Sequence, residues 1–173
     1  MAVRHHDFGS AQVRAEAIGR PGQRTFRVLL DSPAGNAGLQ LDKQQLAELA
    51  LAIQRLLALN EAATATALVP ETSAGHTQLE FTIGRIGIHF DTGRQAIFLL
   101  LEDVEATDKE GLNVSCWLPR PAALEFAEAA LAVCAAGRPP CPLCHGPMDP
   151  EGHRCPKANG HGIAALEEGS QQV

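Results

Sequence analysis

Two stretches of the chain share a pattern that decides the fold: residues 41–49 (LDKQQLAEL) and residues 118–126 (LPRPAALEF). Each stretch begins with a leucine that ends an apolar run. Each then passes into apolar positions three and four residues apart, which is the spacing of one face of a helix. In the first stretch, Asp42 is followed three residues later by Gln45, the arrangement of a capping box. Each stretch is therefore predicted to be a junction where a β-strand ends and an amphipathic helix begins.

The two helices that follow these junctions are predicted from their apolar periodicity. The first is expected to end at about Leu59, with a core face formed by Leu46, Leu49, Ile53, Leu56 and Leu57. The second is expected to open at the Pro-rich stretch 119–121 and to end at Gly137, because glycine suits the residue just after a helix. Its predicted core face consists of Leu124, Ala127, Leu131 and Cys134.

The strands before each junction are predicted from β-forming residues and turn signals. The expected strands are 11–18, 24–31 and 39–41 before the first helix, and 78–90, 95–103 and 113–118 before the second. The order of strand, strand, short strand and helix occurs twice, which indicates a weak internal ββ(β)α repeat. We therefore predict an α+β fold, an antiparallel sheet of about six strands with both helices on one face. The Ala/Thr-rich segment 60–76 is predicted to be a loop between the two halves.

Composition and charge exclude several classes of protein. The 173 residues suffice for one compact domain, and 45% apolar and 20% charged residues are typical of a globular protein. The formal net charge of −6 disfavours a protein that wraps duplex DNA. Neither a Gly-x-Gly-x-x-Gly nor a Gly-Lys-Ser/Thr loop occurs, so phosphate cradles of those types are excluded. With no secretory signal and no run of about 18 apolar residues, we expect a cytoplasmic protein that does not cross a membrane.

The composition changes abruptly after residue 136. Six of the chain's eleven prolines lie between residues 139 and 156. Because proline removes backbone donors and fixes φ, this segment is predicted to form neither a helix nor a central strand. Something other than a hydrophobic core must order it. The expected organisation is an α+β domain over 1–136, a zinc-knuckle appendage over 137–160 and a flexible tail over 161–173.

Cysteine and histidine spacing predicts what orders this segment. The four predicted ligands of a structural Zn²⁺ are Cys141, Cys144, His153 and Cys155. A Cys-x-x-Cys pair grips zinc on a tight turn, and a set of three cysteines and one histidine closes the tetrahedron and leaves no open position. The alternative fourth ligands are His145 and His161. A redox dithiol is disfavoured because the βαβ context is missing, and a disulfide would need an oxidising compartment. Cys116 and Cys134 are predicted to lie in the core as small apolar residues.

Beyond these residues, the segments 135–144 (AAGRPPCPLC) and 149–160 (DPEGHRCPKANG) resemble a bacterial family catalogued as domain of unknown function 3090. The stretches 19–26 (GRPGQRTF) and 41–45 (LDKQQ) are also similar to the pattern of that family. The resemblance covers nearly the whole chain outside the 60–76 loop. One departure is His145, which stands where the family pattern has glycine after the second cysteine. The resemblance implies no activity.

Two further groups of polar residues are candidates for a site. Arg20 and Arg24, which flank two glycines of the first predicted hairpin turn, are a candidate anion-binding pair, although Gly-Arg-Pro-Gly is also simply a good turn. The N-terminal residues 5–7 (HHD) are expected to belong to a frayed polar terminus rather than to a metal or acid–base cluster.

The only convergent chemistry in the sequence is thus a closed metal site. We predict a non-enzymatic zinc protein that binds another protein. One alternative is an enzyme, hydrolytic or thiol-dependent, with an unidentified site. The other is weak nucleic-acid binding through the knuckle, which is disfavoured because Arg138, Arg154 and Lys157 are few and no aromatic platform is evident.

Overall fold

The computed structural model describes residues 4–20, 22–60, 77–106, 111–137, 141–144, 148 and 155. The elements, in chain order, are β1 (Arg4–Ser10), β2 (Gln12–Ile18), β3 (Thr25–Ser32), β4 (Gly35–Leu41), α1 (Lys43–Leu59), β5 (Thr77–Asp91), β6 (Ala96–Asp103), β7 (Leu112–Pro119) and α2 (Arg120–Ala135). Both predicted strand-to-helix junctions are present. At the first, Asp42 Oδ1 accepts from the Gln45 N–H at 2.7 Å and Gln45 Oε1 accepts from the Asp42 N–H at 3.0 Å.

The sheet is seven-stranded and mixed, with the strand order β1-β7-β6-β5-β4-β3-β2. The prediction of about six antiparallel strands was therefore wrong in two respects. Residues 5–7, expected to be frayed, lie in β1, which pairs in parallel with β7. The first half of β5 also pairs in parallel with β4. β1 and β7 are far apart in sequence, and β4 and β5 are consecutive strands joined through α1, so no hairpin turn predicts either parallel pair.

The strand pairing shows the internal repeat more clearly than the sequence does. In one half, β2, β3 and β4 pair antiparallel in turn and lead into α1; in the other, the second half of β5 pairs with β6, and β6 with β7, which leads into α2. The strand segment at the start of each half pairs instead with the last strand of the other half. The two halves therefore exchange their leading strands, which ties them into one fold.

Each leading strand changes partner at an irregular point. Only Ala11 separates β1 from β2, and its N–H donates to the Trp117 carbonyl at 3.2 Å. In β5, the pairing register shifts between Ile83 and Arg85, at Gly84. A Cβ on Gly84 would lie 2.6 Å from the Cα of Val104, so only glycine allows this close approach. Because Ala11 joins the first and last strands of the order, the chain itself connects the two ends of the sheet.

The core lies between the inner sides of the strands and both helices, whose buried residues belong to one hydrophobic cluster. The buried residues of α1 are Leu46, Leu49, Ala50, Ile53 and Leu57, close to the predicted face. Those of α2 are Ala123, Phe126, Ala127, Ala130 and Cys134. The predicted face of α2 was therefore rotated, since Leu124 is 44% exposed. Four of the five buried residues of α2 are small, which allows the helix to pack closely. The spacing of its leucines does not predict this face.

The chain divides into two compact units, Met1–Cys134 and Ala135–Val173. The sheet, α1 and nearly all of α2 belong to the first unit, and the described cysteines beyond residue 140 belong to the second. Within the part of the chain that the structure describes, no helix is both long enough and apolar enough to span a membrane.

Candidate metal centre

The second unit contains a turn that points backbone N–H groups at a cysteine sulfur. Cys141 begins a turn over residues 141–144, and the N–H of Leu143 donates to Cys141 Sγ at 3.4 Å. Pro142 has no N–H to offer and fixes its own φ, so the amides that follow it are the ones available to the sulfur. The backbone N–H of Cys144 holds the pKa of the Cys141 thiol below its ordinary value, and the N–H of Leu143 acts in the same direction. The turn thus favours a thiolate at Cys141.

Cys155 returns to this turn and completes a group of three sulfurs. Cys141 Sγ and Cys155 Sγ are 3.8 Å apart, and the ligand atoms of Cys141, Cys144 and Cys155 all lie within 4.8 Å of one another. A disulfide would need about 2.05 Å. Sulfurs at about 2.3 Å from a tetrahedral Zn²⁺ are separated by about 3.8 Å. These three residues, hereafter the three-cysteine cluster, are therefore close enough to share one metal ion, and one sulfur pair has the separation that tetrahedral zinc requires.

The donor chemistry of the three-cysteine cluster limits which metal it fits. Three thiolates are soft ligands, which favour zinc and other thiophilic metals over Mg²⁺ or Ca²⁺. Among the described residues, it is the only group of three or more His, Cys, Asp or Glu side chains close enough to hold one ion. The predicted fourth ligand His153 and its alternatives His145 and His161 lie outside the described residues, so the identity of that ligand stays a prediction.

The other two cysteines lie in the core, as predicted. Cys116 is fully buried on β7, and Cys134 is 7% exposed on α2. Burial raises the pKa of both thiols, strongly at Cys116, where the nearby Asp7 carboxylate adds to the effect. Two protonated, inaccessible thiols have no role as ligands or nucleophiles.

The hairpin turn that carries Arg20 and Arg24 is formed as expected. The N–H of Gln23 donates to the Arg20 carbonyl at 2.9 Å, and Gly19 and Gly22 have positive φ. Arg20 is exposed and Arg24 is half-buried. The assignment of these two arginines to an anion site remains a prediction.

A hydrogen-bonded group on β1 and β7 was missed in the sequence, because its members are more than a hundred residues apart. His5 Nε2 lies 3.1 Å from Ser115 Oγ, and His5 Nδ1 lies 2.5 Å from Asn113 Oδ1. Ser115 Oγ also donates to Asp7 Oδ1 at 3.3 Å. The connectivity resembles a serine–histidine dyad, but Ser115 is only 2% exposed. These hydrogen bonds join the side chains of β1 to those of β7.

A second missed feature is a row of rings on the face of the sheet opposite the core. His89, Phe98 and Trp117 stand on β5, β6 and β7 at directly paired positions. The ring centroids of His89 and Phe98 are 4.9 Å apart, and those of Phe98 and Trp117 are 4.8 Å apart. The guanidinium carbon of Arg94 lies 4.3 Å from the centroid of the Trp117 ring. No sequence pattern predicts this row, since it forms only when three strands align.

Fold and site together define a class: an α+β protein with an internal strand-exchanged repeat and a C-terminal three-cysteine cluster of the kind that binds thiophilic metals. More particularly, the chain belongs to the family described as Protein of unknown function (DUF3090), whose model matches residues 6–155. The match extends to the last residue of the three-cysteine cluster, as the resemblance implied. Comparison with curated proteins and with solved structures gave no match.

Proposed function

We propose that this chain is a cytosolic zinc protein without enzymatic activity, in which the metal orders the C-terminal segment so that it docks onto another protein. The observation that carries the proposal is the three-cysteine cluster, with its 3.8 Å sulfur separation and its N–H donors to Cys141. Structural zinc contributes about 10–16 kcal/mol to the ordering of small modules. That is the kind of contribution a proline-rich segment needs, since proline removes backbone donors and limits regular structure.

The cytosolic location rests on the state of the thiols. All five cysteines are free, including three sulfurs close enough to bridge after a small movement. In an oxidising compartment such neighbours pair, whereas a reducing one keeps them available for metal. The protein-docking role rests on Leu143, which sits at the tip of the cysteine turn and is 54% exposed. This apolar side chain, held between two metal ligands, is the group that we propose enters a pocket on the partner.

Thiol titration distinguishes a structural metal site from the rival enzyme with reactive cysteines. We expect the native zinc form to leave all thiols unreactive toward a disulfide reagent. Removing zinc with a chelator should expose the three thiols of the three-cysteine cluster, and denaturant should expose all five. Rapid reaction of Cys141 or Cys144 in the zinc-loaded protein would instead favour the thiol-dependent enzyme.

Affinity capture tests the docking role. A lysate protein retained by the full chain should be lost when residues 137–173 are removed and when Leu143 is replaced by serine. Leu59→Ser is the matched control, because Leu59 is 81% exposed at the end of α1. The Leu143→Ser protein should keep its zinc, which separates a lost contact from a collapsed site. If the same proteins are captured by the shortened chain, the docking proposal is wrong.

A further inference from the structure

The row formed by His89, Phe98 and Trp117, hereafter the ring row, occupies positions where a sheet that faces water normally carries polar side chains. Phe98 lies between the buried Ile97 and Leu99, so it points away from the core. His89 is exposed, and Phe98 and Trp117 are only half-buried. The chain has six phenylalanines, no tyrosine and one tryptophan, and that tryptophan stands here. Aromatic surface that is left partly open on a sheet is a candidate binding surface.

The internal repeat provides a comparison for this surface. Because the strand-to-helix junctions correspond, Trp117 in β7 is equivalent to Gln40 in β4. The paired residues that continue the row in the first half are then Arg27 and Glu16. These two form an ion pair at 3.5 Å. The same fold position thus carries an ordinary polar row in one half and aromatic rings in the other, so the fold itself does not require the rings.

The charges around the ring row show which ligand it suits. The nearby carboxylates are already engaged: Asp91 Oδ1 accepts from the Arg94 N–H at 2.7 Å, and Glu102 Oε2 lies 3.3 Å from Arg85 Nη1. Asp7 Oδ1 accepts from the Gly9 N–H at 2.9 Å and from Ser115. The exposed Arg94 guanidinium instead rests on the Trp117 ring and makes no ion pair with the described residues. The row itself therefore offers a ligand its aromatic rings and one cation.

We propose that the ring row binds single-stranded nucleic acid, with two or three consecutive bases stacked on its rings and Arg94 contacting a phosphate. Adjacent strands of a sheet space their rings so that successive bases can stack, and stacking tolerates any base sequence. The row crosses three strands, which suits a short strand of nucleotides better than one free nucleotide. It ends at Ser10, the partner of Trp117 on β1. A strip this narrow is also smaller than a stable protein interface requires.

The net charge of −6 decides what kind of binding to expect. A single arginine neutralises about one phosphate, so the logarithm of affinity should fall with the logarithm of salt concentration with a slope of only about −0.7. Stacking must then supply most of the affinity.

The single tryptophan provides the test. With no tyrosine in the chain, intrinsic tryptophan fluorescence reports only on Trp117. Titration of the full chain with an oligouridylate of eight nucleotides should give a saturable quench. Phe98→Leu, which keeps apolar volume but removes a ring, should weaken binding roughly tenfold or more, as should Arg94→Gln. Arg14→Gln is the matched control, because Arg14 is exposed on the first half of the sheet and its loss changes the charge equally.

Four results would overturn the proposal. One is no quench by the oligonucleotide. The second is equal binding by the Phe98→Leu variant, shown to be folded by circular dichroism. The third is uridine monophosphate binding as tightly as the oligonucleotide, which would make this a mononucleotide site. The last is a steep salt dependence of binding, combined with equally tight binding of heparin and an equal loss of affinity in Arg14→Gln. Together these would indicate a general attraction of polyanions. If the oligonucleotide does not bind, and another protein is captured by the wild type but not by Phe98→Leu, that protein and not nucleic acid is the ligand of the ring row.

Discussion

Replacing Cys155 by alanine is expected to abolish stoichiometric zinc binding. The wild-type chain should carry about one zinc, held by the three-cysteine cluster and one further ligand. If a structural site contributes about 10–16 kcal/mol through four ligands, losing one thiolate costs about 3 kcal/mol, or at least about a hundredfold in affinity. The metal content of the purified protein and competition with a chromophoric chelator measure this loss.

The control for this experiment is Cys134→Ala. Cys134 is a buried cysteine outside the three-cysteine cluster, and its thiol lies on α2 in the core and contacts the Lys43 carbonyl at 3.7 Å. We expect that variant to keep its zinc. Full metal retention by the Cys155→Ala protein would contradict the assignment of the three-cysteine cluster as a metal site, whatever the stability of the rest of the chain.

The same assay identifies the fourth ligand. Of the three candidates, His153→Ala should lower the affinity most, because His153 lies two residues from Cys155 and an extended segment directs both side chains to the same side. His145→Ala and His161→Ala should keep nearly full affinity. A larger effect at either position would transfer the ligand role to that histidine.

What the sequence predicted correctly was local. The capping box at Asp42 lies within four residues, and the Cys-x-x-Cys turn is equally short, so both patterns carry their own geometry. Hairpins such as β2–β3 and β5–β6 also follow from neighbouring residues, because a short turn brings alternating strands together.

What the sequence did not predict depends on distant partners. The polar stretch of β1 becomes a strand because β7 provides backbone partners 108 residues away, as in the pair of His5 with Asn113. The ring row has the same cause: His89, Phe98 and Trp117 are individually ordinary outward residues until three strands bring them into line. The three-cysteine cluster was accessible from sequence because three of the four predicted ligands are thiols, which rarely gather without a metal in a reducing compartment.

The exchange of leading strands leads to a second prediction with a large effect, at Gly84. We expect Gly84→Ala to lower the free energy of unfolding by about 2–3 kcal/mol, the cost of overpacking a tight site. The added Cβ would meet the Cα of Val104 at 2.6 Å, and a backbone atom cannot rotate away as a side chain can. Moving Val104 would also disturb its N–H bond to the Thr82 carbonyl, which is 2.7 Å long. Urea denaturation followed by Trp117 fluorescence measures the change.

Gly87→Ala is the matched control on the same strand. A Cβ there would lie 3.4 Å from the Cβ of Leu100, an ordinary contact. Because alanine also restricts the unfolded chain more than glycine does, that variant should be neutral or slightly more stable. Equal effects of the two substitutions would mean that β5 does not change partner at Gly84. A selective loss at Gly84 would support a change of partner within one continuous strand, since at Gly84, unlike Gly87, the backbone passes too close to its neighbour to admit a side chain.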